Sequence, residues 1–198
     1  MVIILQKEES FLRRIAEEIP IEDIKTPKIA KILKDMRKAL DSQEDGVAIA
    51  APQIGKSARI FVVSGKILAT LQGKKISPEK DLVFINPRIT RISKEKKETE
   101  EGCLSVRYLY GKVKRAVKAS VIAYDEDGVE FKHDGHGLLA QIFQHEIDHL
   151  NGILFTDKAK NVTEIIPEHL KEKYPPTGAS SRAGAPRGQR TRVLPRNE

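Results

Sequence analysis

Apolar residues recur every three or four positions in three segments of the chain, and this spacing predicts helices. The first segment covers residues 10–18. The second begins at Thr26-Pro27, a capping residue followed by proline at the first helical position, and runs to about Ser42. The third covers residues 137–150 and stops at Asn151-Gly152, a pair typical of a helix C-terminus.

Strand-like stretches occupy most of the chain between the second and third helices. They are rich in β-branched and aromatic residues, and turn signals such as Asp127-Gly128 separate them. The polar segment 65–81, which contains Pro78, predicts a loop or insertion. A last short helix is predicted after Asn161, interrupted by Pro167. The predicted strands cover residues 59–64, 82–92, 112–124 and 129–132.

Length and composition predict one globular domain. The 198 residues are enough for a single hydrophobic core, and 39% hydrophobic with 32% charged residues is an ordinary balance. No apolar run approaches the roughly 20 residues that a membrane helix needs, which argues against a membrane partner. The first residues lack the basic flank and the cleavage site of a signal peptide, so a cytoplasmic protein is expected.

Charge is concentrated at the C-terminus. The formal net charge is +7, and residues 175–198 hold five arginines against one acid, Glu198. This tail is rich in proline, glycine and serine, with little to bury in a core. We therefore expect a folded domain over residues 1–174 and a basic, disordered tail over residues 175–198.

The strongest local signal is His145-Glu-Ile-Asp-His149, an H-E-x-x-H pattern within the third predicted helix. Residues four apart share a helix face, so both imidazoles can bind one ion, with Glu146 placed to act as a general base. The same face continues an apolar stripe through Leu138 and Ile142. Two hydrogen-bonded core histidines are therefore the alternative interpretation of the motif.

A catalytic metal site with an open position needs a third protein ligand. Two candidates exist: Cys103, upstream of the motif, and His169, downstream of it. Cys103 is the sole cysteine, and such a residue is most commonly a small buried hydrophobic group. As a thiolate it would instead be a strong ligand for iron(II), zinc, nickel or cobalt.

Three motifs, in this order, make the chain similar to the peptide deformylase family over about residues 5–160. The family patterns are G-x-G-x-A-A-x-Q, E-G-C-L-S and Q-H-E-x-D-H. This chain reads Gly46-Val-Ala-Ile-Ala-Ala-Pro-Gln53, Glu101-Gly-Cys-Leu-Ser105 and Gln144-His-Glu-Ile-Asp-His149. Three separated motifs are much more specific than one.

The resemblance implies a fold and an activity. The fold would be α+β, a single catalytic domain in which mixed or antiparallel β-sheets pack around a central helix bearing the H-E-x-x-H motif. The activity would be hydrolysis of the N-formyl group from the N-terminal formylmethionine of newly made proteins, with release of formate. The substrates would be N-formylmethionyl nascent peptides.

The resemblance also implies roles for individual residues. The metal ligands would be Cys103, His145 and His149, and Glu146 would move the proton. The Gln53 side chain and the backbone N–H of Leu104 would face the formyl oxygen. The metal would be one iron(II) per chain, with nickel, cobalt or zinc able to replace it.

The methionine pocket is expected beside the metal. Leu138 and Ile142 share the histidine face and are candidates to line it, with Val47 across the cleft; core packing is the alternative. The substrate backbone would lie extended between the first motif and Gly102, forming strand-like hydrogen bonds.

Two charged residues near the ligands are expected to be supporting groups. The resemblance suggests that Glu101 supports the site by pairing with Arg115. Asp148 occupies an intervening position of the H-E-x-x-H motif, whose side chain turns away from the ion. We therefore expect a structural role for Asp148.

The chain departs from the family patterns at two positions. Ala48 replaces the second glycine of the first motif and adds a methyl group, which would narrow the cleft or alter its backbone. Arg107 stands where a proline commonly follows the second motif. It would either shift the loop or add a positive charge near the path of the peptide.

Two other functions compete with the deformylase interpretation. A metallopeptidase would use the same helix with a downstream third ligand and would not need Cys103. A ribosome-associated protein without activity would use the arginine-rich tail to bind RNA phosphates. The tail of an active enzyme would also be able to make a transient contact with the ribosome.

Overall fold

The computed structural model describes residues 2–71 and 80–168 of the chain. It divides the chain into a compact unit, Met1–Ile165, and a second unit, Ile166–Glu198. Nearly all of the second unit, including the predicted tail at 175–198 and His169, lies outside the described residues. The boundary predicted at residue 174 therefore stays a prediction.

The described part of the compact unit contains three α-helices and eight β-strands. The helices are α1 (Pro27–Asp41), α2 (Gly65–Leu71) and α3 (Leu138–Leu150). The strands are β1 (Ala48–Ala50), β2 (Ile60–Val63), β3 (Leu82–Ile92), β4 (Lys96–Cys103), β5 (Val106–Ala116), β6 (Lys118–Tyr124), β7 (Glu130–His136) and β8 (Lys160–Glu164). This arrangement confirms the predicted α+β class.

The strands form two sheets whose ladders are antiparallel. The five-stranded sheet has the order β1-β2-β3-β6-β7, and the three-stranded sheet has the order β4-β5-β8. Strands β5 and β6 follow each other in sequence but belong to different sheets, and they are separated at Val117. The single strand predicted over residues 112–124 is therefore wrong at this point, because the chain passes there from one sheet to the other.

Alternation along the strands of the larger sheet builds two hydrophobic layers. Ile49, Ile60 and Val62 pack with the buried face of α1. Ala50 and Phe61, the neighbouring positions, pack with α3 instead. Since successive strand residues point to opposite faces, α1 and α3 cover opposite sides of the five-stranded sheet.

Helix α3 also reaches the three-stranded sheet. The Gln144 side chain accepts a hydrogen bond from the Ala116 N–H and donates one to the Ala116 carbonyl, each at 3.0 Å. On the other face, the ring of Phe143 lies 5.2 Å from that of Phe84 in an edge-to-face contact. The helix is thus fixed between the two sheets.

The N-terminal helix predicted over residues 10–18 is wrong beyond its first turn. A 3₁₀ turn covers Ser10–Arg13, and the chain then extends so that Glu17 forms a parallel bridge with Ala58. Ile15, which a continued helix would place on its apolar face, is 72% exposed. The pairing with Ala58 overrides the local periodicity.

Two further segments differ from their predicted structure. Helix α2 occupies the start of the predicted loop 65–81, and residues 72–79 lie outside the described part. Strand β8 replaces the short helix predicted after Asn161, because its backbone pairs with β5. Among the described helices none combines the length and the apolar character needed to cross a membrane.

Candidate metal centre and active site

The end of β4 and one face of α3 bring three potential metal-binding side chains together. Cys103 is the last residue of β4, while His145 and His149 lie one turn apart on α3. One donor atom from each lies within 4.8 Å of the other two, and Cys103 Sγ is 3.1 Å from His149 Nε2. Two histidines on adjacent turns and one thiol from a strand end thus converge on one point.

Buried charges behind this cluster hold it in place. His145 Nδ1 is 2.9 Å from Glu101 Oε2, so its other ring nitrogen faces the cluster. Arg115 donates to both carboxylate oxygens of Glu101, at 2.7 and 2.9 Å, and to Asp148 Oδ2 at 2.6 Å. Lys158 Nζ lies 2.7 Å from both oxygens of Asp148. The predicted pair of Glu101 with Arg115 is present, and Asp148 faces away from the donors into this network.

The network shifts the pKa values of its acidic groups. Burial alone would raise the pKa of Glu101, but hydrogen bonds from Arg115 and His145 outweigh it and lower the pKa from 4.5 to about 2. Burial would also raise the pKa of Cys103, whereas the neighbouring His149 and His145 lower it from 9.0 to about 5. The thiolate form, which binds metals, is therefore favoured near neutral pH.

Glu146 differs from Glu101 in the direction of its pKa shift. Burial raises the pKa of its carboxyl group from 4.5 to about 7, even though His145 and His149 act in the opposite direction. Its Oε2 atom and His149 Nδ1 are buried without a hydrogen-bond partner among the described residues.

Burial would lower the pKa of His145, but hydrogen bonds with Cys103 and Glu101 raise it well above 6.5.

Gln53 reaches the cluster from the first motif. Its Oε1 accepts the Ala50 N–H at 2.8 Å, and its Nε2 donates to Ser105 Oγ at 3.1 Å, with Cys103 Sγ at 3.6 Å. The residue is 2% exposed, so the amide is held in one orientation with its NH₂ group towards the thiol. The motif therefore supplies a fixed hydrogen-bond donor beside the cluster.

The donor set fits a transition metal. One thiolate and two imidazoles are suitable ligands for iron(II), nickel, cobalt or zinc, and three protein ligands leave a coordination position open. The Glu101 hydrogen bond fixes the ring of His145, as an acceptor behind a metal-bound histidine does. Glu146, whose Oε2 is buried without a hydrogen-bond partner in the described part of the chain, lines the same cleft as Cys103 and His145.

A cleft of about 310 Å³ opens over these residues. Its walls come from the segment leading into β1, from the β4–β5 hairpin and from α3. The predicted substrate-binding residues Val47, Gly102, Leu138 and Ile142 all line it, as do Gln53, Leu104 and Glu146. The three sequence motifs therefore meet at a single concave site.

Comparison with known proteins identifies the family to which the chain belongs. The model of the family described as polypeptide deformylase matches residues 1–164. The chain belongs to this family. Its members are metal-dependent hydrolases that remove the N-formyl group from newly made proteins, and the cluster of Cys103, His145 and His149 is a possible metal site.

Individual relatives agree over most of their length. "Peptide deformylase 2" of Clostridium acetobutylicum is 40% identical over 159 residues, covering 80% of this chain and 93% of that protein. The peptide deformylase of Carboxydothermus hydrogenoformans is 44% identical over 155 residues, covering 78% and 90%. Among solved structures, a Met-Ala-Ser-bound class I type b peptide deformylase from Acinetobacter baumannii gives a TM-score of 0.69 at 31% identity, covering 80% and 98%.

The two departures from the family patterns both lie at the cleft. Ala48 is 8% exposed and lines the cleft beside Val47. Arg107 reaches back to the segment before β1, donating to Asp45 Oδ2 at 2.8 Å and to Gln43 Oε1. The arginine thus makes a specific contact there, which a proline would not be able to make.

Several residues in the cleft or in the network behind it were not foreseen from the sequence. The ring of Tyr110 fills the space beside Gly102, where an added Cβ would lie 2.7 Å from the ring. A side chain at position 102 would therefore force the Tyr110 ring to move. Lys158 completes the network behind His145, although no sequence motif marks it. The alternation of apolar and polar residues in β5 would have been the available signal for Tyr110. The other unforeseen lining residues are Asp45, Glu100, Val106, Tyr108, Leu109 and Gln141.

Proposed function

We propose that this deformylase binds its metal through Cys103, His145 and His149 and uses Glu146 as its general base. The observation that supports the proposal is the convergence of one thiol and two imidazoles within 4.8 Å of one another, with Cys103, His145 and Glu146 lining the same cleft. A metallopeptidase with a downstream third ligand is less well supported, because Cys103 already lies at contact distance from His149.

The metal held by these three side chains would supply the central chemistry of the site. When bound, it would supply a Lewis acid that activates water for attack on a carbonyl group. A thiolate with two imidazoles suits iron(II), which we take as the cellular metal, and also nickel, cobalt or zinc. Metal analysis of protein purified without oxygen decides among them.

Glu146 is suited to moving the proton. Its carboxyl group has a pKa raised to about 7 by burial, so it can both accept and release a proton near neutral pH. It would take the proton from the attacking water and then deliver it to the amine that leaves with the methionine. The products are formate and a peptide with a free amino terminus.

Gln53 and Leu104 are proposed to stabilise the charge that develops on the formyl oxygen. The Ala50 N–H holds the Gln53 carbonyl oxygen, so that the NH₂ group points towards the site. The backbone N–H of Leu104 follows directly after the thiol and would be the second donor. Loss of one such donor typically costs about 3 kcal/mol of transition-state stabilisation.

The substrate peptide is proposed to lie between the two sheets. Strands β1 and β4 each form the edge of a sheet, and both contribute residues to the cleft. An extended peptide can pair with such edges, near Val47 on one side and Gly102 on the other. Leu138 and Ile142 would contact the methionine side chain. The Met-Ala-Ser bound to the Acinetobacter relative supports a tripeptide-sized ligand.

The basic tail is proposed to help the enzyme reach its substrates. Nascent chains emerge at ribosomes in the cytoplasm, which is where we expect the protein to act. Arginines of residues 175–198 would attract RNA phosphates in a salt-dependent way. Deletion of this segment should weaken ribosome binding at low salt, and unchanged binding would contradict the proposed role.

The residue roles are tested with formyl-Met-Ala-Ser as substrate and formate release as readout. The parent protein should turn over the peptide. Glu146→Gln should retain its metal and lose at least about 100-fold in kcat. Cys103→Ala should lose metal, as measured by elemental analysis. A folded, metal-loaded parent without turnover would reject the proposal, and full activity of Glu146→Gln would reject the assigned base.

A further inference from the structure

One ion pair spans the rim of the cleft. Arg107, the second residue of β5, donates from Nη1 to Asp45 Oδ2 at 2.8 Å and from Nη2 to the Gln43 side chain. Both partners lie in the segment that leads into β1. The contact therefore joins the three-stranded sheet to the wall of the cleft that precedes the five-stranded sheet.

The backbone at Arg107 is fixed on its C-terminal side. Tyr108, the next residue, has φ 64°, a left-handed conformation that is uncommon for a tyrosine. Its carbonyl accepts the N–H of Ile165 at 2.8 Å, which ties this point to the chain after β8. The backbone that follows Arg107 is consequently held in place.

The pair lies at an exposed edge of the cleft. The side chains of Arg107 and Asp45 are 26% and 60% exposed, whereas the metal-binding cluster lies deeper. The methionine side chain requires an apolar lining, such as that of Leu138 and Ile142. The charged rim is therefore suited to the residues that follow the methionine.

The charges at the cleft are unevenly distributed. Among its described lining residues Arg107 is the only arginine or lysine, while acids are Asp45, Glu100, Glu101 and Glu146. Arg115 compensates Glu101 from behind, away from the rim. Removing Arg107 would thus leave Asp45 and the exposed Glu100 as a negative rim.

We propose that Arg107 is a specificity-determining residue, which with Asp45 and Gln43 forms a charge-neutral clasp over the peptide residues after formylmethionine. The clasp fixes the spacing between the two walls. It also lets peptides with acidic and basic side chains enter with similar affinity. This inference rests on the proposed deformylase function of the same cleft.

The test compares KM and kcat for formyl-Met-Ala-Ser, formyl-Met-Asp-Asp and formyl-Met-Lys-Lys. Arg107→Gln should raise KM for the acidic peptide about five-fold relative to the basic one, the scale of one exposed charge pair. Asp45→Asn should shift the preference in the opposite direction by a similar factor. The kcat values should stay within about two-fold, and high salt should reduce both shifts.

Two variants control the experiment. Arg107→Lys keeps the charge, so it should keep the parent's lack of charge preference. Arg37→Gln removes an arginine of similar exposure, 29% against 26%, which pairs with Glu126 and Asp81 outside the cleft lining, and it should change no KM value. Circular dichroism checks that all variants fold.

The outcomes separate this inference from the function on which it rests. Turnover of formyl-Met-Ala-Ser by the parent tests the function alone. Affinities of the products Met-Asp-Asp and Met-Lys-Lys, measured by calorimetry, report the clasp without turnover. An equal change for all peptides in Arg107→Gln and Asp45→Asn, or no change, would overturn the clasp and leave the deformylase assignment intact.

Discussion

Two arginines on strand β5 differ in burial and in the kind of ion pair that they form. Arg115 is 5% exposed in its side chain and bonds two buried carboxylates, Glu101 and Asp148. Arg107, at the other end of the strand, is 26% exposed and bonds Asp45 at the rim. Buried charges are stable only with a complete set of partners, whereas exposed pairs contribute little and can be exchanged. The support of the metal site is therefore fixed, while the rim can vary.

Removing Arg115 should lower the free energy of unfolding much more than removing Arg107. Arg115→Ala leaves two buried carboxylates without their shared partner, which should reduce the free energy of unfolding by about 3–5 kcal/mol. Arg107→Ala should cost less than about 1 kcal/mol. Urea denaturation monitored by circular dichroism measures both. Equal losses in the two variants would show that burial does not distinguish the arginines.

Glu101 should make the free energy of unfolding depend on pH in the acidic range. Its pKa is lowered from 4.5 to about 2, so its contribution is fully present above pH 4.5 and is lost as the pH falls towards 2. Glu101→Gln should be less stable than the parent at neutral pH, and the difference should shrink between pH 4.5 and 2. Thermal unfolding across this range measures it, and a constant difference would contradict the assignment.

Removing Lys158 should change the free energy of unfolding the least. It bonds Asp148 together with Arg115, but its side chain is 41% exposed. Lys158→Ala should therefore lower the free energy of unfolding by less than about 1 kcal/mol, since Asp148 keeps its buried partner. A loss as large as that of Arg115→Ala, measured under the same conditions, would mean that the network depends on its exposed end.

The spacing of apolar residues was enough to predict the helices and strands whose buried faces are regular. Helices α1 and α3 and strands β2 and β3 follow their predicted positions within a few residues. Strand β4 was missed because its residues are mostly charged and exposed, so its sequence resembles a loop. Strand β8 is exposed along its whole length, and its pairing with β5 determines its structure.

The contacts of the site also divide into those that the sequence predicts and those that it does not. The chemistry of the H-E-x-x-H helix and Cys103 could be anticipated, because motif spacing encodes which groups are brought together. The Glu101–Arg115 pair was also anticipated, although its connection through Asp148 to Lys158 was not. The contact of Arg107 with Asp45 joins residues that are 62 positions apart. No local pattern predicts such a contact, and it depends on how the two sheets are placed.

The N-terminal segment has a consequence for the order in which the molecule is assembled. The Ala16 N–H donates to the Leu150 carbonyl at 2.9 Å, and Arg13 Nη2 bonds Asp157 at 3.1 Å. During synthesis the first residues emerge long before these partners exist. Contacts of such sequence separation form late and slow folding. The contacts of Arg13 and Ala16 therefore cannot form until the end of α3 and the residues after it have been made, whereas the bridge of Glu17 with Ala58 needs only a partner much earlier in the chain.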